Sequence, residues 1–173
     1  VKAGIQIHEY ARGIDDSPVR AEREDAKGYS ISTTLAEDVV TADEAQRILQ
    51  RLSDSVACRM RADGAKAYCV SVTIRGNDFR DHSHQKQLEN ATDVTDEIFA
   101  AAKKLLKELW DEKLPLRLLG ISLTNVTKDH YEQYSLFPDR GRERARKLDR
   151  ALDSIRARYG TDAVFRARDG RKD

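Results

Sequence analysis

Apolar residues recur along the chain with two different periods, and the changes between them mark out its elements. From Tyr29 to Leu35 the chain alternates, with Ile31, Thr33 and Leu35 on one side and Ser30, Ser32 and Thr34 on the other. That pattern predicts a half-buried strand whose polar face is made of small hydroxyls. Thr41-Ala42-Asp43-Glu44 has the form of a capping box, and Ala45, Ile48, Leu49, Leu52, Val56 and Met60 then follow at helical spacing until Gly64 ends the run. A second strand places Tyr68, Val70, Val72 and Ile74 toward a core and Cys69, Ser71, Thr73 and Arg75 away from it. Gly76-Asn77-Asp78 makes a turn. Arg80 to Leu88 is polar throughout and is assigned as a strand because a turn precedes it and a capped helix follows. That helix, capped by Thr92 or Asp93, carries Ile98, Phe99, Ala102, Leu105, Leu106 and Leu109 on one stripe, with Trp110 beside it. Pro115 opens a last strand, with Leu119, Ile121 and Leu123 facing inward and Leu118, Gly120 and Ser122 facing out.

The order is strand, helix, strand, strand, helix, strand. Two amphipathic helices each need an apolar sheet face, and the strands offer one such face, so the expected fold is α+β: a four-stranded sheet with both helices on one side. The open side is then lined by Ser30, Ser32, Thr34, Ser71, Thr73, Arg75 and Ser122, together with His84, Gln85, Lys86 and Gln87 of the polar strand. Short donors near a few long cations suit a phosphate backbone better than an apolar ligand. Before the sheet, Lys2 to Ala11 forms a short helical pattern stopped by Gly13, and the almost wholly charged stretch from Arg20 to Lys27 behaves as an exposed connector. After the sheet, Arg140 onward is a further helix with Leu148, Leu152, Ile155 and Tyr159 on one stripe. Such a helix either rests on the domain by one modest face or grips nucleic acid.

Charge alters this picture at one place. Charged residues make up 35% of the 173, yet the net charge is +1, so any affinity for nucleic acid depends on distribution. From Pro138 to the end there are 12 Lys/Arg against 7 Asp/Glu, so the C-terminal end is basic and the rest slightly acidic. Cys58 and Cys69 have no partners at zinc-ligand spacing and are expected to be free thiols in a reducing cytoplasm. No apolar run approaches the length of a membrane-crossing helix. His82 and His84 share one side of a strand but lack a third ligand, so they are assigned to solvent or phosphate and no metal site is expected. Asp93, Asp96 and Glu97 sit where a helix begins and suit its dipole. The chain opens at Val1 inside a helical pattern, as a piece of a longer protein would.

Between the last strand and the basic end stands Gln133-Tyr134-Ser135-Leu136-Phe137. An amide, a small polar spacer and an apolar pair have the form of a short docking peptide. With the pentapeptide, Lys27-Gly28-Tyr29-Ser30-Ile31-Ser32-Thr33-Thr34-Leu35, Arg75-Gly76-Asn77-Asp78-Phe79 and Arg117-Leu118-Leu119-Gly120-Ile121-Ser122-Leu123 resemble the little-finger domain of Y-family translesion DNA polymerases. The likeness is to the ImpB/MucB/SamB-like polymerases of the DNA polymerase IV and V branches. Ala11-Arg12-Gly13-Ile14-Asp15 resembles the end of that family's thumb, and Gln133 to Phe137 resembles its sliding-clamp-binding motif.

The resemblance implies a division into a thumb end at 1–16, a linker at 17–28, the little finger at 29–127, a clamp-binding segment at 128–138 and a basic helical tail at 139–173. It implies a sheet lying along template-primer duplex, with contacts mostly on phosphates, and adds Lys27 and Arg117 to the candidate DNA-binding residues. The parent would be a DNA-directed polymerase of the SOS response to DNA damage, and its magnesium-binding palm is outside this sequence, so no residue here is assigned a catalytic role. The expected partners of this monomeric, cytoplasmic fragment are duplex DNA and the sliding clamp. The alternative is a stand-alone RNA-recognition-like or small-ligand α+β module. RNA-recognition modules stack bases on exposed aromatics of the open face, and the central strand positions hold none.

Overall fold

The computed structural model describes residues 2–18, 25–128 and 140–164. Helix α1 (Lys2–Ala11) is followed by strand β1 (Gly28–Val39), helix α2 (Ala42–Ala62), strands β2 (Lys66–Gly76) and β3 (Asp81–Thr92), helix α3 (Thr95–Leu109), strand β4 (Leu116–Thr127) and helix α4 (Arg140–Tyr159). A single 3₁₀ turn, Thr161–Ala163, comes after α4. The strands form one sheet in the order β1-β4-β2-β3, with every neighbouring pair antiparallel. β1 and β2 are therefore parallel with β4 between them, and β3 and β4 are parallel with β2 between them. A parallel pair cannot be joined by a tight turn, so each pair needs a helical crossover, and each helix steps over the strand inserted between its own two.

Both crossovers pass over the same face. α2 packs on β1 and β4, α3 packs on β2 and β3, and the two helices pack on each other. The core between them and the sheet contains Leu49, Val56 and Met60 of α2, Ile98, Ala102 and Leu105 of α3, and Val70, Val72, Leu119, Ile121 and Leu123 of the central strands. Each fully buried Leu, Ile, Val or Met side chain among them contributes about 1.5–3 kcal/mol. α2 begins as the capping box predicts, with the Thr41 hydroxyl accepting from the Glu44 amide at 3.4 Å. It ends before Gly64, whose φ is +67.

Three expectations need correction. Tyr68, assigned to the core, is half-buried and outside the core cluster, whereas Ala65 and Ala67 belong to it. Asn125 of β4 takes φ 51 between the partners of Ala67 and Cys69, and the pairing of β2 with β3 also shifts there, which breaks the alternation at that end of the sheet.

α3 is not capped by Thr92 or Asp93. It starts at Thr95 after Val94, and the Thr95 amide donates to Asp149 Oδ2 of α4 at 2.8 Å. The Thr92 hydroxyl serves the Val94 amide instead, and the Asp93 carboxylate accepts from Arg146 at 2.9 Å.

The third correction concerns α4. Its apolar stripe contributes little to the contact with the domain: Leu152 is half-buried, but Leu148 is 50% exposed, Ile155 40% and Tyr159 67%. The buried face is ionic. Arg142, Arg146, Asp149, Asp153 and Arg156 recur at spacings of four and three, which places them on one side of a helix. Arg142 binds Glu97 at 2.9 Å and donates to the Ala91 carbonyl at 2.9 Å. Arg156 binds Asp54 at 2.5 Å, and Arg61 of α2 forks onto Asp153 at 2.6 and 3.0 Å. A hydrophobic-stripe argument fails here because each inward charge on α4 meets an opposite charge on α2, on α3 or just before α3.

Candidate nucleic-acid interface

The registers fix the open face row by row. Ser30, Ser122, Ser71 and Gln85 stand in one cross-strand row, and Ser32, Gly120, Thr73 and Ser83 in the next. Flanking them are the rows Thr34, Leu118, Arg75, Asp81 and Gly28, Thr124, Cys69, Gln87. Neighbouring strands are about 4.8 Å apart, so the two central rows span the sheet with short hydroxyls, one glycine and one amide. Gly120 sits at the middle, where a Cβ would come within 3.0 Å of the Ser32 Cβ, so glycine lets the two strands close up.

Of the residues predicted for this face, the registers bring together Ser30, Ser32, Thr34, Ser71, Thr73, Arg75, Gln85, Gln87 and Ser122. His84 and Lys86 are not among them. They pair with Val72 and Val70, whose side chains are in the core, and so project on the helix side. His84 Nε2 lies 3.4 Å from Glu108 Oε2 of α3. β3 is an edge strand with almost no apolar residue, so nothing within its first half fixes which residues face inward; Leu88, packed against the core, reveals the parity. Ser83 and Thr124 join the face without having been anticipated, and their signal lies in the register.

Electrically the face is nearly neutral. Arg75 meets Asp81 directly across the strands through two hydrogen bonds, of 2.5 and 2.7 Å. Those bonds hold the Asp81 carboxyl below its ordinary range and raise the Arg75 guanidinium further. Lys27 is exposed just before β1. Arg117 sits where β4 slips register against both neighbours and is also exposed, with its guanidinium over the Phe79 ring at 5.0 Å from the centroid. At the β1 margin, Arg59 donates to the Ser30 carbonyl at 3.0 Å. Gln133, Tyr134, Ser135, Leu136 and Phe137 lie outside the described residues.

Among the described residues, no group of three or more His, Cys, Asp or Glu is placed to hold a metal ion. No described helix is long and apolar enough to cross a membrane.

Residues 26–136 match the model of the impB/mucB/samB family C-terminal domain. The chain belongs to this family. It is 38% identical over 166 residues to a DNA polymerase IV of Clostridium acetobutylicum, a match covering 95% of this chain and 41% of that one. With a DNA polymerase IV of Clostridium kluyveri it shares 37% identity over 172 residues, covering 94% and 43%. The impB/mucB/samB domain thus accounts for most of the chain, while the chain spans about two fifths of the length of these curated relatives. In three dimensions a Y-family DNA polymerase chimera matches with a TM-score of 0.55 at 18% identity, covering 74% of this chain and 36% of the chimera. The fold is therefore that of the Y-family little finger, a four-stranded antiparallel sheet with two helices on one side.

Proposed function

We propose that this little-finger domain lies along template-primer duplex with its open sheet face toward the phosphate backbone, as the C-terminal part of an error-prone translesion DNA polymerase. The observation that carries this reading is the pair of hydroxyl rows, Ser30-Ser122-Ser71 and Ser32-Gly120-Thr73, which present short donors and acceptors across the middle of the sheet. Such groups position a protein on any sequence, as a moving polymerase requires. Relatives named DNA polymerase IV support a polymerase as the parent activity; damage tolerance and repair, the SOS response and a cytoplasmic location are part of the same proposal. In that reading the two-metal chemistry with magnesium belongs to the palm, and no residue here holds the ion.

The near-neutral face implies weak intrinsic binding, and a tether then does the work of concentration. Gln133-Tyr134-Ser135-Leu136-Phe137 is proposed to dock on the sliding clamp, holding the domain near the primer end without adding chemistry. A duplex titration at two salt concentrations tests the first part: affinity should fall with salt, at a log-log slope of about −2 to −4, equally for unrelated sequences. Strong sequence preference, or preference for single-stranded RNA, would overturn it. Replacing Leu136 and Phe137 by alanine tests the second part: clamp binding should be lost with the melting temperature unchanged, whereas a large fall in stability assigns both side chains to the domain's own packing.

A further inference from the structure

The hairpin between β2 and β3 ends in an exposed aromatic that the hydroxyl rows do not use. Phe79 is 66% exposed and has φ 62, a left-handed conformation that disfavours a bulky side chain. Its position is nonetheless held tightly. The Phe79 amide donates to the Gly76 carbonyl at 3.0 Å, the Gly76 amide to the Arg80 carbonyl at 3.3 Å, and the Arg80 amide to Asp78 Oδ1 at 3.1 Å. The Asn77 amide anchors the turn to the Pro115 carbonyl at 3.0 Å, and Gly76 packs on Leu114 so closely that a Cβ there would overlap it. A ring exposed to solvent on a hydrogen-bonded but strained backbone gains nothing from burial. Strain of this kind points from an outlier to a function.

The surroundings suggest the ligand. The Arg117 guanidinium covers one side of the ring, 5.0 Å from its centroid, and Arg80, its side chain 81% exposed, follows Phe79 in the chain. Arg75 and Asp81, the last pair of the open face, flank the same hairpin. An aromatic face beside cations at the end of a polar sheet fits a base with its phosphate. Bases inside a duplex are already stacked on both sides, so only an unpaired or terminal base can reach the ring.

We propose that Phe79, backed by Arg117, is a stacking platform for one unpaired nucleobase, so that the domain favours a junction between duplex and single strand over continuous duplex. This rests on the nucleic-acid reading above. The test measures binding of the full chain to a DNA duplex closed at both ends by polyether linkers that carry no nucleobase, and to the same stem opened to leave a single-stranded overhang of about four nucleotides. The overhang should bind about 5- to 100-fold more tightly. Phe79→Tyr should keep that preference, and Phe79→Gly should remove it. Glycine suits the positive φ, so the variant should fold with at least the stability of the parent chain. Equal affinity for the two probes, or a preference that survives Phe79→Gly, overturns the platform. If the closed duplex binds and the overhang adds nothing, the platform alone falls; if neither probe binds, the duplex reading falls with it. If only the overhang binds, the platform stands and the duplex reading falls.

Discussion

Arg61 makes five hydrogen bonds: two to Asp153, and one each to Asp149, the Thr95 hydroxyl and the Asp93 carbonyl. Its side chain is 6% exposed and that of Asp149 1%. Removing one partner of such a group leaves the others buried and uncompensated, so Arg61→Met should cost about 3–5 kcal/mol in urea denaturation, and a loss under about 1 kcal/mol would refute that account. Lysine cannot rescue it, because the two bonds to Asp153 need a planar fork. Burial alone would raise the Asp153 carboxyl, but Arg61 outweighs it and holds the group below its ordinary value. This contribution to stability is present above the ordinary carboxylate pKa, near 3.9, and is lost as pH falls through the lowered value. At the other end of the scale, burial first and then the hydrogen bond to Asp63, at 2.7 Å, push the Tyr29 phenol up to about 12. Its contribution is full below about pH 10, the unfolded value, and is lost as pH rises toward the folded one. Thermal melts of the parent chain should therefore decline above about pH 10, and Tyr29→Phe should flatten that decline. None of this was legible in the sequence, where Arg61 is simply a cation in the last turn of a helix.

The elements differ in how plainly the sequence announces them. α2, α3 and β1 carry apolar residues at one clear period, and their positions follow. β3 carries almost none, so its existence could be inferred from its neighbours while the side on which His84 and Lys86 project could not. α4 misled for the opposite reason: Leu148, Ile155 and Tyr159 form a legible stripe that is exposed, and the buried side is a row of charges that resembles a solvated face. The consequence is testable at the start of α3, whose first amide is capped from another helix. Asp149→Ala should accelerate hydrogen exchange at Thr95 relative to the amides of β2 and β4, and cost about 3 kcal/mol or more because Arg61 loses a buried partner. Unchanged exchange at Thr95 would mean that the cap contributes nothing.

Across the whole molecule, the sheet order β1-β4-β2-β3 puts both helices on one side and leaves the other side as an almost uncharged, hydroxyl-bearing surface. The Arg75 charge in its last row is cancelled by Asp81 across the strands, which makes the surface tunable. Asp81→Asn should release Arg75, tighten duplex binding and steepen the salt slope by about one phosphate, as read by titration at several salt concentrations. An unchanged slope would mean that Arg75 does not face the backbone. The weak, sequence-blind binding proposed for this surface is consistent with a chain that spans two fifths of its relatives' length and is proposed to rely on a clamp for its local concentration.

The sequence by itself determined the element order, the core stripes of α2 and α3, the hydroxyl composition of β1 and the resemblance that places the chain in its family. These are local properties, written in periods of two and 3.6 and in short motifs. Tertiary structure alone decided the strand order, the facing of β3, the neutralisation of Arg75 by Asp81 and the ionic seat of α4. Each depends on which residues meet across a register or between helices distant in sequence, and a charge acquires its role only when its partner is in place.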